Sequence, residues 1–218
     1  MLFKSQDVDR QEIYRYLGYR GIQKDSSVDL LISSCLEEVF KVSDMRHFYK
    51  RFSLELKENN FVKIESLEFQ SKSLSKNFNG CHEVLLFAAS LGMEVDRVLA
   101  RYTKINLVRA AVFQSTAAAT IEAYCNHCQN QIEDEMKKEN LFLRPRFSPG
   151  YGDVNLEIQK DFLSMIDSAK TVGIILGQGG IMIPEKSISA FMALSKENSF
   201  CPKEGCEICG KKDCLYKR

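Results

Sequence analysis

An α+β fold, with a mostly antiparallel twisted sheet and flanking helices, is the class this sequence predicts, on three observations. Strand-like and helix-like stretches are interspersed without the regular alternation of a doubly wound sheet. Two alternating runs, Phe52-Ser53-Leu54-Glu55-Leu56 and Phe61-Val62-Lys63-Ile64, flank the turn residues Glu58-Asn59-Asn60, as in a hairpin. One helical stretch, from about Leu107 to Lys138, is far longer than the others. No internal repeat or low-complexity linker is visible, so residues 1–200 read as one domain with 1–48 as its helical N-terminal part.

The elements follow in order. Asp9 to Leu17 reads as a short helix stopped by Gly18 and Gly21. Ser26 or Ser27 can cap a second helix, on which Leu30, Leu31, Cys35, Val39 and Phe40 keep helical spacing. Phe69 to Phe78 is polar and fits no period. Val84 to Ala89 reads as a buried strand closed by Gly92, with a helix following from about Glu94 to Thr103. On the long helix, Leu107, Ala111, Gln114, Ala118, Ile121, Cys125, Cys128 and Ile132 trace a three-four stripe of mostly small residues. Leu141 to Arg144 reads as a strand and Leu156 to Ala169 as a helix. Ile174 to Leu176 and Ile188 to Leu194 read as short strands joined through Gly177-Gln178-Gly179-Gly180.

Composition bounds the function. The chain has 218 residues, 44% hydrophobic and 27% charged, with a formal net charge of +1. Such a balance argues against sequence-independent nucleic-acid binding, which needs a basic excess. The N-terminus lacks the apolar run of a signal peptide, and no apolar stretch approaches the roughly 20 residues that span a bilayer. The expectation is a cytoplasmic protein that engages neither nucleic acid nor membrane. Eight cysteines in such a chain point to free thiols or metal ligands rather than disulfides.

The densest chemistry lies in Arg146-Phe147-Ser148-Pro149-Gly150-Tyr151. Arg146 offers a planar fork of donors that matches a carboxylate. Pro149 fixes its own φ, and Gly150 can take φ > 0 and let a ligand approach the main chain. Tyr151 adds an apolar ring with one polar tip. A small zwitterion carrying an aromatic base suits such a loop; a tight turn with a surface Arg and a packed Tyr is the plainer reading. Glu122, at the edge of the small-residue stripe, is the candidate partner for a ligand's positive end.

Arg146-x-x-x-Gly150-Tyr151 resembles the motif with which the activation domain of cobalamin-dependent methionine synthase holds S-adenosylmethionine. Met182-Ile183-Pro184-Glu185-Lys186-Ser187-Ile188-Ser189 is similar to that family's Met-x-Pro-x-x-Ser-Val-Ser segment. Leu85 to Gly92, followed by Glu94-Val95-Asp96-Arg97, looks like a segment of its free-standing members. The resemblance covers roughly residues 60 to 200. It implies S-adenosylmethionine binding by Arg146, Gly150, Tyr151 and Glu122, and a role in reductive methylation of cob(II)alamin. The cobalamin would sit on a partner methionine synthase or related corrinoid protein, and a flavodoxin or ferredoxin would supply the electron. The family's late Tyr has no counterpart here; its place falls near Phe200. Its N-terminal Asp has no assignable match.

The tail from residue 201 to 218 is a compositional break. Cys201, Cys206, Cys209 and Cys214, spaced by four, two and four residues, form a candidate knuckle for zinc or an iron–sulfur cluster. The spacing leaves zinc and iron–sulfur both open, as well as reduced thiols or a tail that pairs by disulfide. A second function class follows from this tail: a non-catalytic metal-binding accessory of a corrinoid methyltransferase system. Cys125 and Cys128 form a Cys-x-x-Cys pair that reads as core packing. The Gly177 to Gly180 turn lacks the order of a phosphate loop.

Overall fold

A computed structural model describes residues 2–19 and 26–197. The helices are α1 (Arg10–Tyr16), α2 (Ser26–Val42), α3 (Lys72–Asn77), α4 (Met93–Ile105), α5 (Leu107–Lys138), α6 (Gln159–Met165) and α7 (Ser168–Thr171). The strands are β1 (Arg46–Lys57), β2 (Phe61–Ile64), β3 (Leu67–Gln70), β4 (Glu83–Ser90), β5 (Phe142–Leu143), β6 (Ile175–Leu176), β7 (Met182–Ile183) and β8 (Ser187–Ser195). Six of the strands form one antiparallel sheet in the order β3-β2-β1-β4-β8-β5, so the fold is α+β as the sequence predicts. β6 and β7 pair apart from it.

The chain divides into two compact units, each assembled from three stretches. The first draws its described residues from the spans 1–48, 88–131 and 167–188; the second draws its own from 49–87, 132–166 and 189–218. In the six-stranded sheet, hydrophobicity sets strand position. The neighbouring strands β4 and β8 are buried almost continuously, Val84 to Ser90 and Ser189 to Ser195, as strands covered on both faces are. Towards the edge, β1, β2 and β3 mix buried and exposed positions, with Leu54 paired to Ile64 and Ile64 to Leu67. The turn between β1 and β2 places Asn59 and Asn60 at φ 59° and 61°, a conformation that Asn tolerates better than most residues. Arg51 of β1 ties its neighbours together. It grips Glu83 with Nε and Nη2 at 2.8 and 2.5 Å and reaches Glu139 with Nη1 at 2.6 Å.

The aromatic centre of the second unit is Phe191 on β8. Its ring is fully buried, edge-on to Phe162 with centroids 4.9 Å apart, and tilted against Phe69 at 5.9 Å.

In the first unit, polar groups of three helices meet on Glu38 of α2. Tyr102 of α4 donates at 2.8 Å, and Arg109 of α5 donates from Nη2 at 2.8 Å. Burial raises the Glu38 pKa, but these donors outweigh it and hold the carboxyl below its ordinary value. The loop between β4 and α4 is fixed by Asp44 N donating to Leu91 O and Leu91 N donating to Lys186 O, both at 2.9 Å. Asp44 packs so closely on Gly92, which has φ +87°, that a Cβ there would lie 3.0 Å from Asp44 Cβ.

Four sequence expectations need correction. The predicted helix from Leu156 to Ala169 is broken at Asp167, which adopts φ 49° and ψ 50° and starts α7 afresh. The Gly177 to Gly180 turn does not lead to β8. It closes a hairpin of β6 with β7, with Gly177 N donating to Ile181 O at 2.8 Å, because Ile181 to Ile183 already carry strand character. The stripe on α5 is right from Ile121 to Ile132 but wrong before it. Leu107, Ala111 and Gln114 are exposed, while Ala110, Phe113 and Ala117 are buried. Alanines stand on every side of that half of the helix, so its small residues carry little phase information. β1 also begins six residues earlier than the apolar alternation suggests, through the charged stretch from Arg46 to Arg51.

Two outcomes follow. Phe191→Ala is expected to cost about 3–5 kcal/mol in denaturant unfolding, through lost burial and the cavity left behind. Glu38→Gln is expected to cost about 1–2 kcal/mol at neutral pH. Because the folded pKa of Glu38 is depressed, its contribution is complete above the ordinary value of 4.5 and is lost as pH falls through the folded pKa. Thermal melts of both proteins from pH 7 to pH 3 should therefore converge at the acid end.

Candidate functional site

The Arg146 loop belongs to the second unit and grows out of β8. After β5 the chain stays beside β8: Arg144 N donates to Ala193 O at 2.8 Å. Phe147 and Phe191 then exchange both backbone bonds, at 3.0 and 2.9 Å. Arg146 is thus carried on a backbone locked to a buried strand. Its side chain is half-buried and Nη1 is sealed from solvent.

Beyond the bridge the chain turns tightly. Pro149 is buried, Gly150 stands at φ +87° and Gly152 at φ +57°. Gly150 N donates to Val154 O at 2.9 Å, and Val154 N donates to Tyr151 O at 3.0 Å. A Cβ on Gly150 would meet Leu156 Cδ1 at 3.3 Å, and one on Gly152 would meet Phe147 Cζ at 3.2 Å, so both glycines answer to space as well as to φ. Tyr151 leaves the turn with 69% of its surface exposed. The loop thus presents a guanidinium from a backbone bonded to a buried strand and, five residues later, an exposed aromatic ring.

A residue that the sequence reading passed over holds this loop in place. Asp153 receives Ser71 Oγ at 2.6 Å, Lys72 N at 2.7 Å and Ser73 N at 3.3 Å, at the start of α3. Burial raises the Asp153 pKa, yet the hydrogen bonds from Ser71 and from the amides of Lys72 and Ser73 lower it below its ordinary value. Ser71 also caps α3 through Leu74 N at 3.0 Å. The local signal was present in Ser71-Lys72-Ser73, a helix start, but nothing in the sequence says that the acid facing it comes from 82 positions away.

The other predicted residues fall elsewhere. Glu122 lies on α5 in the first unit, half-exposed. Its charge acts on Tyr16 of α1, whose phenol pKa is raised first by burial and then by Glu122. The Met182 to Ser189 segment is also largely in the first unit. There Glu185 N donates to Asp96 Oδ2 at 2.8 Å, which ties the segment to α4. Lys186 is 8% exposed, and burial lowers its ammonium pKa. Cys125 and Cys128 are buried on α5 and form no disulfide, as core packing requires. Cys201, Cys206, Cys209, Cys214 and the position of Phe200 lie outside the described residues. Among the described residues, no group of three or more His, Cys, Asp or Glu is placed to hold a metal ion. None of the described helices is long and apolar enough to cross a membrane.

Asp153→Ala is expected to lower stability by about 1–2 kcal/mol, as loss of a helix-end acceptor does. Its contribution is present above the ordinary carboxyl value of 3.8 and fades as pH falls through the depressed folded pKa. Hydrogen exchange should locate the loss: the amides of residues 147–154 should exchange faster in the variant, while those of β4 should not.

No family model matches this chain, and no curated protein matches it. A solved structure does: the crystal structure of the MetH reactivation domain bound to AdoHcy, with a TM-score of 0.66 over 89% of this chain and 76% of that one, at 13% sequence identity. The chain therefore has the fold of the MetH reactivation domain.

Proposed function

We propose that this protein binds S-adenosylmethionine at the Arg146 to Tyr151 loop and supports reductive methylation of cob(II)alamin carried by a partner methionine synthase. The observation that carries the proposal is the Arg146-x-x-x-Gly150-Tyr151 loop, held by the Phe147–Phe191 bridge, on a fold shared with a domain whose structure contains AdoHcy. Arg146 takes the ligand's carboxylate in a charge-assisted, bidentate pair. Gly150 lets the ligand approach the main chain, and Tyr151 packs against it. Glu122 is proposed to face the ammonium group, a role that rests on the order of the motifs along the chain. Cobalamin on the partner, given one electron by a flavodoxin or ferredoxin, would supply the nucleophile that accepts the methyl group, with S-adenosylhomocysteine as the product released. This chain's contribution would be mainly to position and present the methyl group. A cytoplasmic location fits that role.

The four tail cysteines favour a second reading, a metal-binding accessory that catalyses nothing. It predicts zinc or iron in the purified protein and no affinity for S-adenosylmethionine.

Calorimetric titration with S-adenosylmethionine separates the two. Saturable binding, weakened roughly 10–100-fold in Arg146→Ala by loss of the charge-assisted pair, is the expected result. Absence of binding, both alone and with a cobalamin-loaded methionine synthase present, would overturn the proposal. Metal analysis of the same sample tests the tail.

A further inference from the structure

The junction of α4 and α5, entirely within the first unit, exposes an unusual run of apolar surface. Ile105 is 69% exposed, Leu107 74% and Val108 69%. Single exposed apolar residues are ordinary, but three within four positions call for a physical reason. Helix geometry does not supply one. Asn106 starts α5, with its Oδ1 accepting from Arg109 N at 3.0 Å, so Ile105 holds the position from which a hydrophobic staple normally folds back onto the first turn. At 69% exposure it does not fold back. The first turn of α5 also carries no acidic residue, although that end of a helix favours one. Leu107 and Val108 occupy those places instead.

Beside this run, Arg97, Ala100, Arg101, Lys104 and Ile105 line a shallow, open depression of about 360 Å³ along one exposed face of α4. Its lining is almost wholly apolar, so Ala100, Ile105 and the aliphatic stems of the three basic residues form it. Arg97 and Arg101 have carboxylate neighbours, Glu94 and Glu38, but their side chains remain 68% and 59% exposed. An apolar face bordered by cations takes aliphatic or aromatic side chains flanked by carboxylates.

We infer that this face is a docking surface for an acidic amphipathic segment of a partner protein, with Ile105, Leu107 and Val108 receiving its apolar side chains and Arg97, Arg101 and Lys104 its carboxylates. Charge decides the occupant. A second copy docked symmetrically would set the cations near their own counterparts. The chain's own tail, residues 198–218, carries Lys203, Lys211, Lys212, Lys217 and Arg218 against Glu204, Glu207 and Asp213, so it too is basic. An acidic protein segment with apolar side chains satisfies both the charge and the exposed apolar run, and electrostatic attraction would speed its arrival. The surface shares no residue with the Arg146 loop, so its test is independent of ligand binding.

The test uses the full chain and a fluorescein-labelled 20-residue helical peptide with leucines at i, i+3, i+4 and i+7, flanked by glutamates. Fluorescence anisotropy should show saturable binding that weakens at least tenfold between 50 and 500 mM salt. Binding should fall at least tenfold in Ile105→Ser/Leu107→Ser and in Arg97→Glu/Lys104→Glu, both at exposed positions, with circular dichroism and the thermal melting temperature unchanged. No binding, equal binding of a lysine-flanked peptide, or indifference to both variants would overturn the inference. So would a concentration-dependent dimer in sedimentation, or retention on vesicles containing anionic lipid, if Ile105→Ser/Leu107→Ser abolished it, since the face would then belong to a second copy or to a membrane.

Discussion

The two-way backbone bridge between Phe147 and Phe191 is the constraint on which the candidate ligand loop depends. Phe191 sits in a strand buried along most of its length, and its ring is boxed by Phe162 and Phe69. A residue packed in this way cannot shift without opening a cavity, so whatever is bonded to its backbone inherits its rigidity. Phe147 is bonded there twice, and Arg146 is its immediate neighbour. The guanidinium therefore projects from a fixed point although it lies outside any regular strand. Binding an anion from a prepared position avoids the ordering cost that a floppy loop would add to each encounter.

The far side of the loop is secured by different chemistry. Asp153 spends its carboxylate on one hydroxyl and two backbone amides at the start of α3. The same economy recurs at Arg51, which spends its guanidinium on Glu83 and Glu139, and at Glu38, which gathers Tyr102 and Arg109. These groups are occupied in holding elements together. Tyr151 and the basic residues Arg97 and Arg101 of α4 are presented outward instead. The division between inward-turned and outward-turned polar groups separates scaffold from candidate binding surface more clearly than residue type does.

Much of the architecture was legible in the sequence. The bounds of α5, the hairpin of β1 and β2, and the buried strands β4 and β8 follow from long or unambiguous periods. The phase of α5 before Ile121 was not legible, because alanine marks no side as inner or outer. The break at Asp167 was not either, since a single left-handed residue leaves the helical period of its neighbours intact. At the candidate site, Arg146, Gly150 and Tyr151 could be named from one short motif. Asp153 could not, because its role exists only in the encounter with Ser71.

The sequence by itself determined the α+β class, the long helix and the turn chemistry of the Arg146 loop. These are local properties: hydrophobic period, glycine and proline at set positions, and a guanidinium beside an aromatic ring. Only the tertiary structure decided which strand anchors that loop, which distant carboxylate closes it, and which apolar residues of α4 and α5 remain uncovered. Each of those depends on contacts between residues far apart in the chain, where no period or short motif carries information, and on the packing that leaves one surface buried and another open.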